Sequence, residues 1–446
     1  MLTGDACENY ARDESEATGL VPAAVVLAAN ADDIRRTLEI AESTGVAVTP
    51  RAGGTGRTGG AVPVVGGIVL ATDAMKQVKE INAKDLLAVV EPGIVLGDFH
   101  AMVEREGFFY PPDPNSLGSC CIGGNVAENA GGPRAFKYGV TREYVLGLET
   151  VLMGGRVLRT GKRTVKGVTG YDVTSLLVGS EGTLGVFTEI TLRLVPKPPE
   201  VATVLALFDD VRHAGAAVSA LVAHGLVPRC LEMLDSATLD AVRAQKVSID
   251  PRAHAMLLIE VDGESVTIAT LLEQIADVLG RGEGLIDLLA AQDPSQRARL
   301  WEARRMLSQA TRKLAKYKLS EDIVVPRSRI AELLDGVDEI GARTKVRYLT
   351  YGHAGDGNFH VNFLWNDEAE RVAVDQAIEA LMRLTISLGG TLTGEHGIGL
   401  AKAAYMPLEQ SEDLMNLQRD IKRVFDPKQL LNPGKIFPVR PGHGAC

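Results

Sequence analysis

The sequence has no excess of positive charge, no paired cysteine motif and no long apolar run, and each absence removes a class of function. Lys and Arg number 47 against 57 Asp and Glu, a formal net charge of -10 with a pI near 5.4. Neither nucleic acid nor an anionic membrane surface is therefore expected as the main partner. The five cysteines, Cys7, Cys120, Cys121, Cys230 and Cys446, form no C-x-x-C pair. Their odd number and scatter disfavour a disulfide scaffold, a thiolate zinc site and an iron-sulfur cluster, and fit a reducing compartment. The opening "MLTGDACENYARDESEATG" carries acids where a signal peptide needs a basic region. No apolar run approaches the ~18 residues that span a bilayer. The expectation is a cytoplasmic protein, at most peripheral to the inner membrane. Repeats and low-complexity segments are also missing.

What is present is a chain of 446 residues, 46% hydrophobic and 23% charged, long enough for two or more globular domains. "PRAGGTGRTGG", residues 50–60, holds a G-x-G-x-x-G match in Gly54, Gly56 and Gly59. In a dinucleotide-binding βαβ unit the third glycine opens a helix whose N-terminus receives the pyrophosphate. Here Gly59 leads into "GAVPVVGGIVLAT", where Pro63, two more glycines and the Val/Ile content predict turn and strand. Asp73 lies about where the ribose-binding acid would fall, but without the helix the fingerprint fails.

Before that loop, "AAVVLAAN" reads as a strand. "ADDIRRTLEIAESTG" reads as a helix, with Ile34, Leu38 and Ala41 at helical spacing and Asp32 as its cap. From Asp85 to Leu194 short apolar strands alternate with glycine-rich turns around one helical segment, "LGDFHAMVEREG". "VPKPPEV", residues 195–201, marks a boundary. Beyond it strands such as "AMLLIEVDG" and "VRYLTYG" mix with amphipathic helices, an α+β pattern, and a helical section follows from about Lys402. The expected division is residues 1–197, 198–400 and 401–446.

The glycines of the first loop can present backbone N–H groups to a pyrophosphate, although such a cluster equally marks a tight turn. A second stretch, residues 111–141, packs Gly123, Gly124, Gly131 and Gly132 among Ser116, Ser119, Asn125 and Asn129. That mixture permits close approach and hydrogen bonds to a large polar ligand. A third, "VGSEGTLG", repeats the theme with Gly179, Gly182 and Gly185. Cys120 and Cys121 read as buried small residues.

Three of the eight histidines sit in two glycine-bracketed motifs, "YGHAGDGNFHVNFLW" and "TLTGEHGIG". Gly352, Gly355 and Gly357 rule out a stable helix between His353 and His360. The alternation in "HVNFLW" puts His360 and Asn362 on one face of a strand. Two imidazoles and the Glu395 carboxylate suit Zn²⁺ with an open position, with Mn²⁺ or Fe²⁺ as alternatives. His213, His224 and His254 read as structural.

Taken together, these stretches resemble the FAD-dependent D-2-hydroxyacid dehydrogenases, the vanillyl-alcohol-oxidase-type branch that holds D-lactate dehydrogenases, glycolate oxidase flavin subunits and D-2-hydroxyglutarate dehydrogenases. The resemblance runs from about Ala23 to Pro438. It implies an α+β protein: a PCMH-type FAD-binding domain, an α+β substrate (cap) domain, and a C-terminal helical segment packing back near the flavin. It further implies FAD contacts from Arg51, Gly53, Gly54, Thr55, Gly56, Gly59, Ser116, Ser119, Gly123, Asn125, Gly131, Glu181, Gly182 and Asn432. The FAD should be non-covalent, since no histidine lies in the first loop. His353, His360 and Glu395 are the implied metal ligands, His396 the base, and Asn362 a substrate contact. "LWEARRMLSQATRKLAKYKLSEDIVVP" resembles the segment that supplies arginine, threonine and lysine to the substrate, here Arg304, Ser308 and Lys318.

The function expected is oxidation of a D-2-hydroxy acid to the 2-oxo acid, with hydride passing to FAD. Electrons would leave to an external acceptor, a quinone, an electron-transferring flavoprotein or a cytochrome. A homodimer is compatible with this reading. Alternatives are the flavin subunit of a multi-subunit glycolate oxidase and a non-catalytic flavin-binding scaffold. A metallohydrolase would leave the glycine stretches idle, and H-E-x-x-H is absent.

Overall fold

A computed structural model describes residues 1–291 and 293–438; the side chains of Pro294, Ala303, Arg305, Ser308, Gln309 and Arg312 lie outside that description. The chain forms two compact units. The first contains Met1–Gly132, Gly139–Lys197 and the chain from Glu395 onward, and the second Pro133–Tyr138 and Pro198–Gly394. Residues 395–400, assigned from sequence to the substrate domain, thus belong to the first unit.

In the first unit, β1 (Ala24–Leu27), β2 (Val48–Arg51) and β3 (Ile68–Ala71) form a parallel sheet in the order β1-β3-β2. The crossover from β1 is the helix Ala31–Thr44, which buries Ile34, Leu38 and Ala41. Burying each of the two larger side chains contributes about 1.5–3 kcal/mol. Its cap is Asn30, whose side chain accepts from the amides of Asp32 and Asp33. Asp32, the cap expected from sequence, sits two residues further in, within the first turn, and pairs with Arg35. The connection from β2 to β3 holds no helix, so "PRAGGTGRTGG" ends β2 with its first two residues and continues as a loop that runs on into a strand.

A five-stranded antiparallel sheet follows, built from β4 (Val78–Asn82), β5 (Leu87–Val90), β7 (Val145–Val151), β8 (Val157–Gly161) and β9 (Val186–Arg193) in the order β4-β5-β9-β7-β8. β6 (Phe108–Phe109) and β10 (Val195–Pro196) make a short antiparallel pair. The C-terminal helix Glu412–Phe425 is tied to this unit by Lys422, whose buried ammonium donates to the carbonyls of Thr183 and Leu431 and to Asp426.

The second unit is built on one seven-stranded antiparallel sheet. Its strands are β11 (Glu200–Phe208), β12 (Cys230–Leu234), β13 (Ala255–Gly263), β14 (Leu285–Ala290), β15 (Tyr317–Val324), β16 (Arg347–His353) and β17 (Asn358–Trp365), in the order β14-β11-β13-β12-β16-β17-β15. Leu205, Leu234, Leu258, Leu349, Tyr351 and Leu364 share a core with Leu239, Val242 and Leu307 from the helices Ser236–Arg243 and Glu302–Arg312. The same face also carries a polar row. Register pairs Cys230 with Glu260, Glu232 with His353, Tyr351 with His360, His360 with Asp322, and Asn362 with Ser320. Directly paired residues point to the same side of a sheet, so one half of the face is apolar and the other is lined with ionisable groups.

Candidate active site

In the first unit the three glycine stretches meet. A Cβ on Gly53 would come within 2.7 Å of the Ser119 carbonyl, and one on Gly60 within 2.9 Å of Glu128. The first loop therefore lies directly against the second, through residues with no side chain to hold them apart. Gly54, at φ +67°, accommodates the Arg51 guanidinium, which donates to the Arg12 carbonyl at 2.7 Å and covers the Tyr10 ring. Thr55, Gly56 and Gly59 follow in the same loop. Gly123 approaches Pro92, and the hydroxyl of Ser119 donates to the Ser116 carbonyl. Asn432 joins the loops, donating to the carbonyls of Gly60 at 2.9 Å and Glu181 at 2.7 Å, while Gly182 packs on Pro50.

The Oγ of Ser180 and the Oδ1 of Asn432 are buried with no hydrogen-bond partner among the described residues. Such atoms are costly unless a ligand or water meets them, and together with a glycine-lined cradle they fit a dinucleotide with many polar atoms. Lys435, buried, adds a cation beside the Val62 carbonyl. Its ammonium pKa is pushed down to about 8 by burial, against the pull of Asp13 and Glu181. Cys120 and Cys121 are buried free thiols, the latter pushed up to about 11 by burial.

The "GEHG" motif is fastened to this cradle. Thr58 Oγ1 donates to the His396 carbonyl at 3.1 Å, and the amides of Leu400 and Ala401 donate to the Thr58 carbonyl. Glu181 accepts from the amides of Ile398 and Gly399 at 2.8 and 2.7 Å. Glu395 Oε2 lies so near Gly131 that a Cβ there would meet it at 3.1 Å, and His396 Nε2 stands 3.9 Å from Glu395 Oε1. Beside Glu181 lies a second acid, Glu128, half-buried with its Oε2 fully enclosed, that sequence reasoning missed. Burial and then the Glu181 charge push its carboxyl well above the usual range. Glu181 is also raised by burial, though its two amide donors, Lys435 and Lys402 oppose this. The proton is therefore better placed on Glu128.

The second unit holds the other histidines. His353 ends β16 and His360 lies in β17, joined by the turn 354–357. Their rings stand at 89° with centroids 5.5 Å apart, and their nitrogens approach within 4.8 Å. Asp322 offers a carboxylate oxygen within 4.8 Å of His360, and accepts from Asn358 Nδ2 at 2.6 Å, Thr393 Oγ1 at 2.8 Å and the Gly394 amide at 2.9 Å. Those bonds pin the chain one residue before Glu395. A pair of buried imidazoles flanked by carboxylates is a donor set suited to a borderline divalent cation.

Glu232 was not visible in the sequence. It is fully buried, receives His353 Nδ1 on Oε1, and accepts from Arg304 Nε on Oε2 at 2.5 Å. Burial alone would raise its pKa; His353 and Arg304 overcome this and hold it at about 2. Arg304 also stacks over Tyr351 at 5.2 Å. Asn362 is buried on the same face as His360. Its Nδ2 donates to the His360 carbonyl at 2.9 Å, and its Oδ1 has no hydrogen-bond partner among the described residues. Lys318 lies on β15 and donates to Thr311 Oγ1 at 2.9 Å. Ser308 belongs to the helix Glu302–Arg312, but its side chain is outside the described residues.

Comparison with known proteins identifies the family and the fold. The profile described as "FAD binding domain" matches residues 22–161, and that described as "FAD linked oxidases, C-terminal domain" matches residues 197–436. The chain is 41% identical to glycolate oxidase subunit GlcD of Bacillus subtilis, over 96% of this chain and 92% of that one. It is 36% identical to D-lactate dehydrogenase of Archaeoglobus fulgidus, over 92% and 90%. The crystal structure of p-cresol methylhydroxylase shares the fold, with a TM-score of 0.79 over 97% of this chain and 92% of that one at 16% identity. This chain belongs to the FAD-linked oxidases, as an oxidoreductase of the group that holds glycolate oxidase subunits, D-lactate dehydrogenases and D-2-hydroxyglutarate dehydrogenases.

Proposed function

We propose that the chain oxidises a D-2-hydroxy acid, or the achiral glycolate, to the 2-oxo acid and passes the electrons to an external acceptor. A quinone, an electron-transferring flavoprotein or a cytochrome would serve. The flavin, when bound, supplies the hydride acceptor. A divalent cation held by His353, His360 and Glu395 would supply a Lewis acid for the 2-hydroxyl; zinc suits the donor set, with manganese or iron as alternatives.

The remaining steps belong to side chains of this protein. Asn362 carries the reading furthest: a fully buried carbonyl oxygen with no hydrogen-bond partner among the described residues, two residues from His360 on the same face, would meet the substrate beside that proposed cation ligand. Because Nε of Arg304 is committed to Glu232, a carboxylate meets the end-on NH1/NH2 fork and not the side-on edge. His396 takes the hydroxyl proton on a ring nitrogen, being the side chain whose ordinary pKa lies nearest neutrality. Its tether to Thr58 keeps it beside the loop assigned to the pyrophosphate. Lys318 and Ser308 would contact the rest of the substrate.

A second reading is favoured by one finding: the 41%-identical relative is named a glycolate oxidase subunit. On that reading glycolate is the substrate and the chain works beside other subunits, where otherwise a monomer or homodimer suffices. One experiment tests both. Anaerobic flavin bleaching is followed with glycolate and with the D and L forms of lactate, malate and 2-hydroxyglutarate. Bleaching by glycolate or D acids is expected, and bleaching by L acids alone would overturn the stereochemistry. His396→Ala should abolish bleaching with the bound-flavin spectrum retained; unchanged reduction would remove it as the base.

A further inference from the structure

Glu232 lies outside every motif, yet its carboxylate bonds both a proposed cation ligand and the proposed carboxylate-binding arginine. Its backbone is fixed directly opposite His353 in the β12/β16 ladder, and its side chain is fully buried. A carboxylate has two acceptor oxygens, and here they serve different partners. Oε1 receives Nδ1 of His353, and Oε2 receives Nε of Arg304 at 2.5 Å. We infer that Glu232 is a positioning residue that couples cation binding to substrate binding. The inference rests on the proposed roles of His353 and Arg304.

Two consequences follow from the bonding alone. A hydrogen on Nδ1 of a neutral imidazole leaves the lone pair on Nε2, so Glu232 selects the tautomer that can bind a cation through Nε2 and fixes the ring orientation. The same carboxylate sets the plane of the guanidinium by occupying its Nε edge, which aims the NH1/NH2 fork. Turning the carboxylate to improve one bond loosens the other, and that shared geometry links the two sites.

Glu232→Gln separates this role from simple packing. The amide keeps the shape but offers one acceptor and one donor, so it cannot accept from both partners. If its oxygen stays with Arg304, its NH₂ faces Nδ1 and drives the imidazole into the Nε2–H tautomer. The first measurement is Zn²⁺ affinity of the flavin-loaded protein by competition with a chromophoric chelator, with no substrate present. A 10–100-fold weakening is expected, the loss typical when a carboxylate behind a ligating histidine is removed. The second is KM, which should rise more than kcat falls, at unchanged flavin content. The effect of Glu232→Gln on KM should shrink in an Arg304→Met background, which a purely structural role would not produce. Should Glu232→Gln fail to fold, Glu232→Asp, too short to reach both partners, is read the same way.

Zn²⁺ affinity and KM both within twofold of the parent would overturn the inference. A parent protein that bleaches with 2-hydroxy acids but takes up no Zn²⁺, Mn²⁺ or Fe²⁺ would instead sink the proposed cation. It would refute the coupling as well, leaving Glu232 a partner of Arg304 alone.

Discussion

Replacing Glu181 by Gln should release the segment that carries His396. Glu181 is 7% exposed and meets the amides of Ile398 and Gly399 at 2.8 and 2.7 Å, one on each oxygen. A hydrogen bond to an ionised group contributes about 1.5–3 kcal/mol, and an orphaned buried donor costs a further ~1–3 kcal/mol. Gln retains one acceptor and turns its NH₂ toward the other amide, so the local loss is about 3 kcal/mol or more. Because each 1.4 kcal/mol is tenfold in an equilibrium constant, hydrogen exchange over residues 396–401 should accelerate about 10²-fold. Bonds from Thr58, Leu400 and Ala401 still hold the segment, so the fold should survive while the rate of flavin reduction drops. Exchange within threefold of the parent at those amides would refute the reasoning, because two charge-assisted bonds would then have carried no local stability.

Glu128→Gln gives the opposite sign. With its folded pKa raised by burial and Glu181, Glu128 keeps a proton that the unfolded chain releases above the usual value of 4.5. The parent therefore loses stability as pH rises through that window, by at most ~1.4 kcal/mol per pH unit. Chemical denaturation should find the variant equal to the parent near pH 4 and more stable from pH 6 to 8; a constant difference across pH would remove the shared proton. Lys422→Met should destabilise the first unit by ~3–5 kcal/mol, since it strands buried Asp426 and two carbonyls. A thermal flavin-release temperature unchanged from the parent would contradict this.

The parts of this protein that read well from sequence are those whose geometry is local. Pro63 and the Val/Ile run after the first loop announced a strand where a dinucleotide fold needs a helix, and β3 begins at Ile68. The alternation in "HVNFLW" placed His360 and Asn362 on one face, as β17 has them. The helix Ala31–Thr44 was legible, but its cap was not, because Asn30 and Asp32 are equally good capping residues and only backbone conformation decides between them. Glu232 could not be found at all: its partners lie 72 and 121 residues away, and only the strand order reveals that β12 sits beside β16. Glu128 was equally hidden, since a lone Glu at a helix end ordinarily faces water.

The division of the chain also sets an order of events during synthesis. The second unit is an insertion, finished when Gly394 is made, whereas the first needs residues from both ends. At the ~5–20 residues per second of translation, Pro198–Gly394 can close on its own sheet while the cradle still lacks His396, Asn432 and Lys435. Closure of the first unit is therefore a late step, and a ribosome that stalls in the last stretch leaves a finished β-sheet unit attached to an unsealed one.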